Sequence, residues 1–136
     1  MRIMAVDYGD ARTGLAVSDA GGFLAGEAWV VSDWNAERLA DTISTEARAR
    51  GVERLVMGYP RNMDGTLGPR AEKYSEFAKL VSEKSGIEVV LWDERRTTVD
   101  AHRILSEAGK RGKKRRETVD AVAATLILEG YLESLK

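Results

Sequence analysis

Met1-Arg-Ile-Met-Ala-Val-Asp-Tyr-Gly-Asp-Ala-Arg-Thr-Gly-Leu-Ala-Val-Ser-Asp19 opens the chain and decides how the rest is read. Ile3, Met4, Ala5 and Val6 form a continuous apolar run, the pattern of a strand buried on both faces, and the run ends on an acid, Asp7. Gly9 and Gly14 bracket a tight turn containing Arg12, and Leu15 to Val17 supply a second strand close enough to pair antiparallel with the first. A carboxylate therefore ends a core strand, beside glycines that let a backbone or ligand approach it. An acid at a strand end also serves as an ordinary turn cap, so Asp7 acquires chemistry only if partners for it arise elsewhere.

Working outward, Phe23 to Ser32 holds β-formers around Gly26 and extends the meander to a third antiparallel strand. Asp33 to Asn35 supply capping residues for a helix in which Leu39, Ile43 and Ala47 recur at helical spacing, until Gly51 ends it. Val52 to Met57 is a fourth strand, and a strand reached through a helix is expected to lie parallel in the sheet. Gly58 to Arg70 is irregular and rich in Gly, Pro, Asn and Asp. It follows the C-terminal end of a buried strand, the edge at which open α/β sheets bind ligands. A helix from about Pro69 to Lys84, a fifth strand over Ile87 to Trp92, a helix from about Thr98 to Ala108, a loop over Gly109 to Arg116 and a last helix from about Glu117 to Leu135 complete the chain. The expectation is α/β: a mixed five-stranded sheet, three strands antiparallel and then two parallel, flanked by helices. Residues 1–136 show no repeat or linker and read as a single domain.

The 136 residues suffice for one continuous core, and 43% hydrophobic with 32% charged residues are globular values. No apolar stretch approaches the roughly eighteen residues of a membrane span, and the N-terminus enters a strand pattern directly rather than a secretory signal. The absence of Cys excludes disulfides and thiolate metal sites and accords with a cytoplasmic setting. With a net charge of −1, nucleic-acid binding has to come from local clusters of cations.

Two strands end in acids on one sheet edge, Asp7 after the first and Asp93-Glu94 after the fifth. Side chains alternate along a strand, so one of the adjacent pair shares the face of Asp7, and Glu94 is the expected one. A third acid, Asp120, falls on the apolar stripe of Ala123, Ala124, Ile127 and Tyr131 in the last helix. An Asp in a first helical turn also favours the helix dipole. Otherwise its carboxylate borders the core, where burial is costly without a cation or hydrogen bonds. Asp7, Glu94 and Asp120 are hard oxygen donors suited to Mg²⁺ or Mn²⁺. Such ions at phosphoryl centres come in pairs about 3.5–4 Å apart, one activating water and the other stabilising the leaving oxygen. Phosphodiester hydrolysis is the implied reaction.

Cations supply the other half. Lys110 to Arg116 holds six basic residues of seven just before Asp120, and Arg95 and Arg96 follow Glu94. Lys113, Lys114, Arg95, Arg12, and Arg61 with Asn62 in the irregular stretch, are the candidate substrate contacts. His102 reads as a surface or packing residue. Trp29, Trp34 and Trp92 read as core or boundary packing, with Tyr59 the candidate stacking surface.

Val6-Asp7-Tyr8-Gly9, Arg12, Gly14 and Ala16-Val17-Ser18-Asp19 resemble the opening motif of the YqgF proteins, also called RuvX or Holliday junction resolvase-like. Gly58-Tyr-Pro-Arg-Asn-Met-Asp-Gly-Thr66, Asp93-Glu-Arg-Arg-Thr-Thr98 and Val119-Asp-Ala-Val-Ala-Ala124 with Ile127, Leu128, Tyr131 and Leu132 resemble its other motifs, in order and end to end. The resemblance implies a ribonuclease H-like fold, a metal-dependent nuclease with Asp7, Glu94 and Asp120 as its metal-binding acids, and the 5′ end of precursor 16S ribosomal RNA as substrate, with ribosomal precursor particles as partners. Ala11 stands where Lys is common in the family and Arg96 where an aliphatic residue is common, which touches substrate contacts rather than the acids. Branched DNA is the rival substrate, and symmetric cutting of a four-way junction calls for a homodimer rather than a monomer. A non-catalytic ribosome assembly factor and an actin-like ATPase are the rivals from other classes, the latter disfavoured because 136 residues are few for two lobes.

Overall fold

A computed structural model describes residues 1–59, 70–93 and 112–135. The opening run forms β1 (Ile3–Asp7) and, after a turn, β2 (Arg12–Ser18) and β3 (Ala25–Ser32). Helix α1 (Ala36–Ala49) leads to β4 (Arg54–Tyr59), α2 (Arg70–Ser85) to β5 (Glu88–Asp93), and α3 (Gly112–Ser134) closes the described chain. The five strands form one sheet in the order β3-β2-β1-β4-β5. β1 pairs antiparallel with β2 and β2 with β3, whereas β1 with β4 and β4 with β5 are parallel, as the sequence leads one to expect. The C-terminal ends of β1, β4 and β5 therefore share one edge. β3, which runs parallel to β1 across β2, ends there too.

Strand alternation sorts side chains between two cores. Met4, Val6, Leu15, Leu55 and Met57 face α1 and α2, which contribute Leu39, Ile43, Tyr74, Phe77 and Val81. Ile3, Ala5, Ala16 and Val56 face α3, which contributes Ala124, Ile127, Leu128, Tyr131 and Leu132. The result is a three-layer sandwich with α3 alone on its face among the described helices. Trp92 locks α3 down: its ring meets Tyr131 edge-on at 5.6 Å and lies against Gly130, while Arg54 donates to the Tyr131 hydroxyl at 3.0 Å.

Two boundaries depart from expectation. The sequence reading leaves Lys113 to Arg116 in a loop, but α3 starts at Gly112 and includes them. Lys and Arg are good helix formers, and no breaker follows Gly112, so the helix continues backwards past Glu117. β4 extends through Gly58 to Tyr59 because β5 offers Trp92 and Asp93 as ladder partners. The expected helix over 98–108, His102 and most of the Gly58 to Arg70 stretch lie outside the described residues.

Candidate active site

Asp7 is the last residue of β1, half-buried, two positions beyond Ala5 and so on the α3 face of the sheet. Its partner across the β1–β2 ladder is Gly14. A β-carbon on Gly14 would collide with the backbone carbonyl of Asp120, so the helix rests directly on this glycine. Gly14 is thus the joint that brings Asp7 and Asp120 to one place. The sequence displays each residue, but the joint depends on a contact across 106 positions of chain.

Asp120 stands eight residues after Gly112. It is well past the first turn, where the helix dipole acts, so the dipole does not account for an acid on this apolar face. Its carboxylate is instead held by Arg12, whose Nε donates to Oδ2 at 2.8 Å. Arg12 opens β2, and the preceding turn is drawn tight: the Gly9 amide donates to the Thr13 hydroxyl at 3.3 Å, and any β-carbon on Gly9 would strike the Arg12 carbonyl. The guanidinium that sequence reasoning assigns to substrate is therefore paired with an acid of the site.

On β5, Val90 and Trp92 pack towards α3 and Val89 towards the other core. Glu94 and Arg95 lie outside the described residues, as do Arg61 and Asn62. Lys113 and Lys114 occupy the first turn of α3, the helix that carries Asp120. Among the described residues no group of three His, Cys, Asp or Glu side chains converges, and Asp7 with Asp120 are the two expected acids within them.

The turn between β1 and β2 is pinned on its other side by α2. Tyr8 stacks on Phe77 with ring centroids 4.0 Å apart and planes at 5°, Tyr74 donates to the Tyr8 carbonyl at 2.7 Å, and Lys73 pairs with Asp10. Tyr59, the expected stacking surface, ends β4 and packs against the α1–α2 core. Trp29 lies under the Arg50 guanidinium at 4.1 Å and Trp92 under α3, as packing residues do. Trp34 does not: it is exposed at the end of β3, and its neighbours in sequence gave no sign of this.

The family model described as "RuvX: Holliday junction resolvase" matches residues 1–134. The chain belongs to the RuvX family. A Ruminiclostridium cellulolyticum protein named as a pre-16S rRNA nuclease is 41% identical over 136 residues, covering 99% of this chain and 96% of the relative. A Halothermothrix orenii protein of the same name is 44% identical over 132 residues, covering 97% and 94%. Among solved structures, Thermus thermophilus RuvC aligns with a TM-score of 0.58 at 14% identity over 99% of this chain and 96% of that one. The fowlpox virus resolvase, solved with Holliday junction DNA, aligns at 0.59 and 15% identity over 99% of each. At such identities the likeness speaks for the fold, which is ribonuclease H-like as the opening motif implies.

Proposed function

We propose that this RuvX-family chain is a metal-dependent nuclease that hydrolyses phosphodiester bonds in structured nucleic acid, acting on the 5′ end of precursor 16S ribosomal RNA in ribosome biogenesis in the cytoplasm. The observation that carries the reading is the joint at Gly14, which pairs with Asp7 across the ladder and bears the Asp120 backbone on its bare face, at the edge where open α/β sheets bind ligands. The names of the full-length relatives support nuclease activity and the RNA substrate.

The donor set fits a hard divalent cation. Asp7 and Asp120 are half-buried carboxylates, and the Asp120 oxygen already holds a cationic partner in Arg12. Glu94, the third acid that the resemblance assigns to the set, completes the donors, so Asp7, Glu94 and Asp120 would hold Mg²⁺ or Mn²⁺. Bound there, a pair of such ions supplies an activated water and charge stabilisation for the leaving oxygen. The remaining work falls to the chain: Lys113 and Lys114 at the start of α3, with Arg61, Asn62 and Arg95, bind phosphates and orient the strand. Residues 1–136 act as one nuclease domain.

A four-way DNA junction is the second reading, favoured by the description of the family model. Cleavage of precursor 16S RNA 5′ ends, single-stranded DNA and four-way junctions, each with Mg²⁺, Mn²⁺ or chelator, separates the readings. Cutting of the RNA that stops in chelator is the expected result. Preferential cutting of junctions by a homodimer selects the second reading, and binding without cleavage of any substrate selects an assembly factor.

A further inference from the structure

Trp34 is 79% exposed, more than any other large apolar side chain among the described residues. An indole left in water forgoes the burial that makes Trp valuable to a core, so its position calls for a reason. The backbone on either side of it is anchored. The Asp33 amide donates to the Ala11 carbonyl at 3.0 Å, and the Asp33 carboxylate accepts from the Asn35 amide at 2.9 Å. Arg38 grips the same carboxylate with two hydrogen bonds, at 2.7 and 2.8 Å. Asn35 caps α1 by accepting from the Arg38 amide at 2.9 Å. The ring is therefore displayed from a segment fixed on both sides.

The place of display is the active-site edge. Ser32, two residues before Trp34, pairs with Arg12 in the β2–β3 ladder, and the Asp33 bond to Ala11 ties the segment to the residue preceding Arg12. Arg12 in turn holds Asp120. The surroundings are those of a nucleic acid rather than a protein contact. Arg38 offsets the charge of Asp33 and Arg12 that of Asp120, so no uncompensated acid in these pairs repels a phosphate. The other strongly exposed apolar residues among those described, Phe23 and Leu24, belong to the β2–β3 hairpin at the opposite sheet edge, so among the described residues the ring is not part of an apolar patch.

We propose that Trp34 is a stacking platform for an unpaired nucleobase next to the phosphate that is cleaved, so that the enzyme acts where a paired segment meets a single strand. This rests on the nuclease reading and adds to it the class of substrate. A base of any identity presents a π-face to an indole, so the platform selects unpaired strand and not sequence.

Binding is measured in Mg²⁺ with Asp7→Asn as the parent, which keeps the nucleic acid intact, using a blunt RNA duplex, the same duplex with a short single-stranded overhang, and the two DNA counterparts. The parent is expected to prefer the overhang and to show quenched tryptophan emission on binding it. Adding Trp34→Ala should weaken binding of the overhang duplex on the order of tenfold and leave the blunt duplex unchanged. Trp34→Phe, which retains a flat ring, should keep most of the preference. The RNA and DNA arms show which strand the platform takes. Unchanged affinity for the overhang, or an equal loss on both duplexes, overturns the platform and assigns the ring to a protein contact or to the fold. If neither this parent nor the wild-type protein with chelator in place of Mg²⁺ binds any of the four, the nuclease reading fails and the platform with it.

Discussion

The Nε of Arg12 donates to the Asp120 carboxylate at 2.8 Å, joining the first residue of β2 to the middle of α3 across 108 positions of sequence. The side chains are 35% and 18% exposed, so the pair is screened only in part. It places a fixed positive charge on an acid proposed to hold metal. Guanidinium and metal then compete for the same carboxylate, and Arg12 acts as a positioning residue when the ion is away. Arg12→Gln should lower stability in chelator by about 1 kcal/mol, a value discounted for solvent. The same change should enlarge the stabilisation that Mn²⁺ confers, because the rival cation is gone. Thermal melts with and without Mn²⁺ check this, and an equal loss in both would leave the pair with a purely structural role.

Gly14 admits no side chain, because a β-carbon there meets the Asp120 carbonyl and lies 3.3 Å from the Ala121 nitrogen. Both are helix backbone, which cannot rotate away. Gly14→Ala should therefore push α3 off the sheet, cost about 2–3 kcal/mol and remove cleavage. Gly26→Ala meets only the Val17 carbonyl, at 3.2 Å, and serves as the milder control in the same denaturant titration.

The sheet was legible because β1 and β4 carry short buried apolar runs, β1 and β5 end in acids, and the order of antiparallel and parallel pairs follows from what connects the strands. Asp120 could be singled out from the stripe of Ala123, Ala124 and Ile127. The start of α3 could not, since lysines and arginines suit a helix and a solvated loop equally. Trp34 was misjudged because composition records an indole and not the hydrogen bonds of Asp33 and Asn35 that hold it outward. The Arg12–Asp120 pair and the Gly14 contact depend on packing between distant segments, which no local pattern encodes.

Acid should loosen the two loops at opposite ends of β3. The amides of Leu24 and Phe23 hold the Asp19 carboxyl below its ordinary value of 3.8, and Arg38 followed by the Asn35 amide does the same for Asp33. A depressed folded-state pKa means stability that is fully present above 3.8 and is lost as pH falls through the lower, folded-state values. Asp19→Asn and Asp33→Asn should flatten this acid limb and leave stability near neutrality little changed in slope. Urea titrations below and above that range make the comparison.

Neutralising the acids one at a time separates the metal site from ordinary structure, and the Arg12 pair makes the acids differ in a way that can be measured. Carboxylates gathered without their metal repel one another more than the single Arg12 charge offsets, so Asp7→Asn should leave the melting temperature in chelator equal or slightly higher. It should also reduce stabilisation by Mn²⁺ and abolish cleavage. Asp120→Asn relieves the same repulsion but breaks the bond from Arg12, so it should lower stability in chelator while losing metal and cleavage alike. Glu94→Gln is expected to follow Asp7→Asn if it completes the set. Combining any two changes should cost little more activity than one, because members of a catalytic unit act together. Wild-type cleavage rates in all three single variants, or equal cleavage by the wild type in excess chelator, would sink the metal-nuclease reading. A turn-capping Asp7 gives a different signature, modest destabilisation with catalysis retained, and melts in chelator beside a cleavage assay tell the two apart.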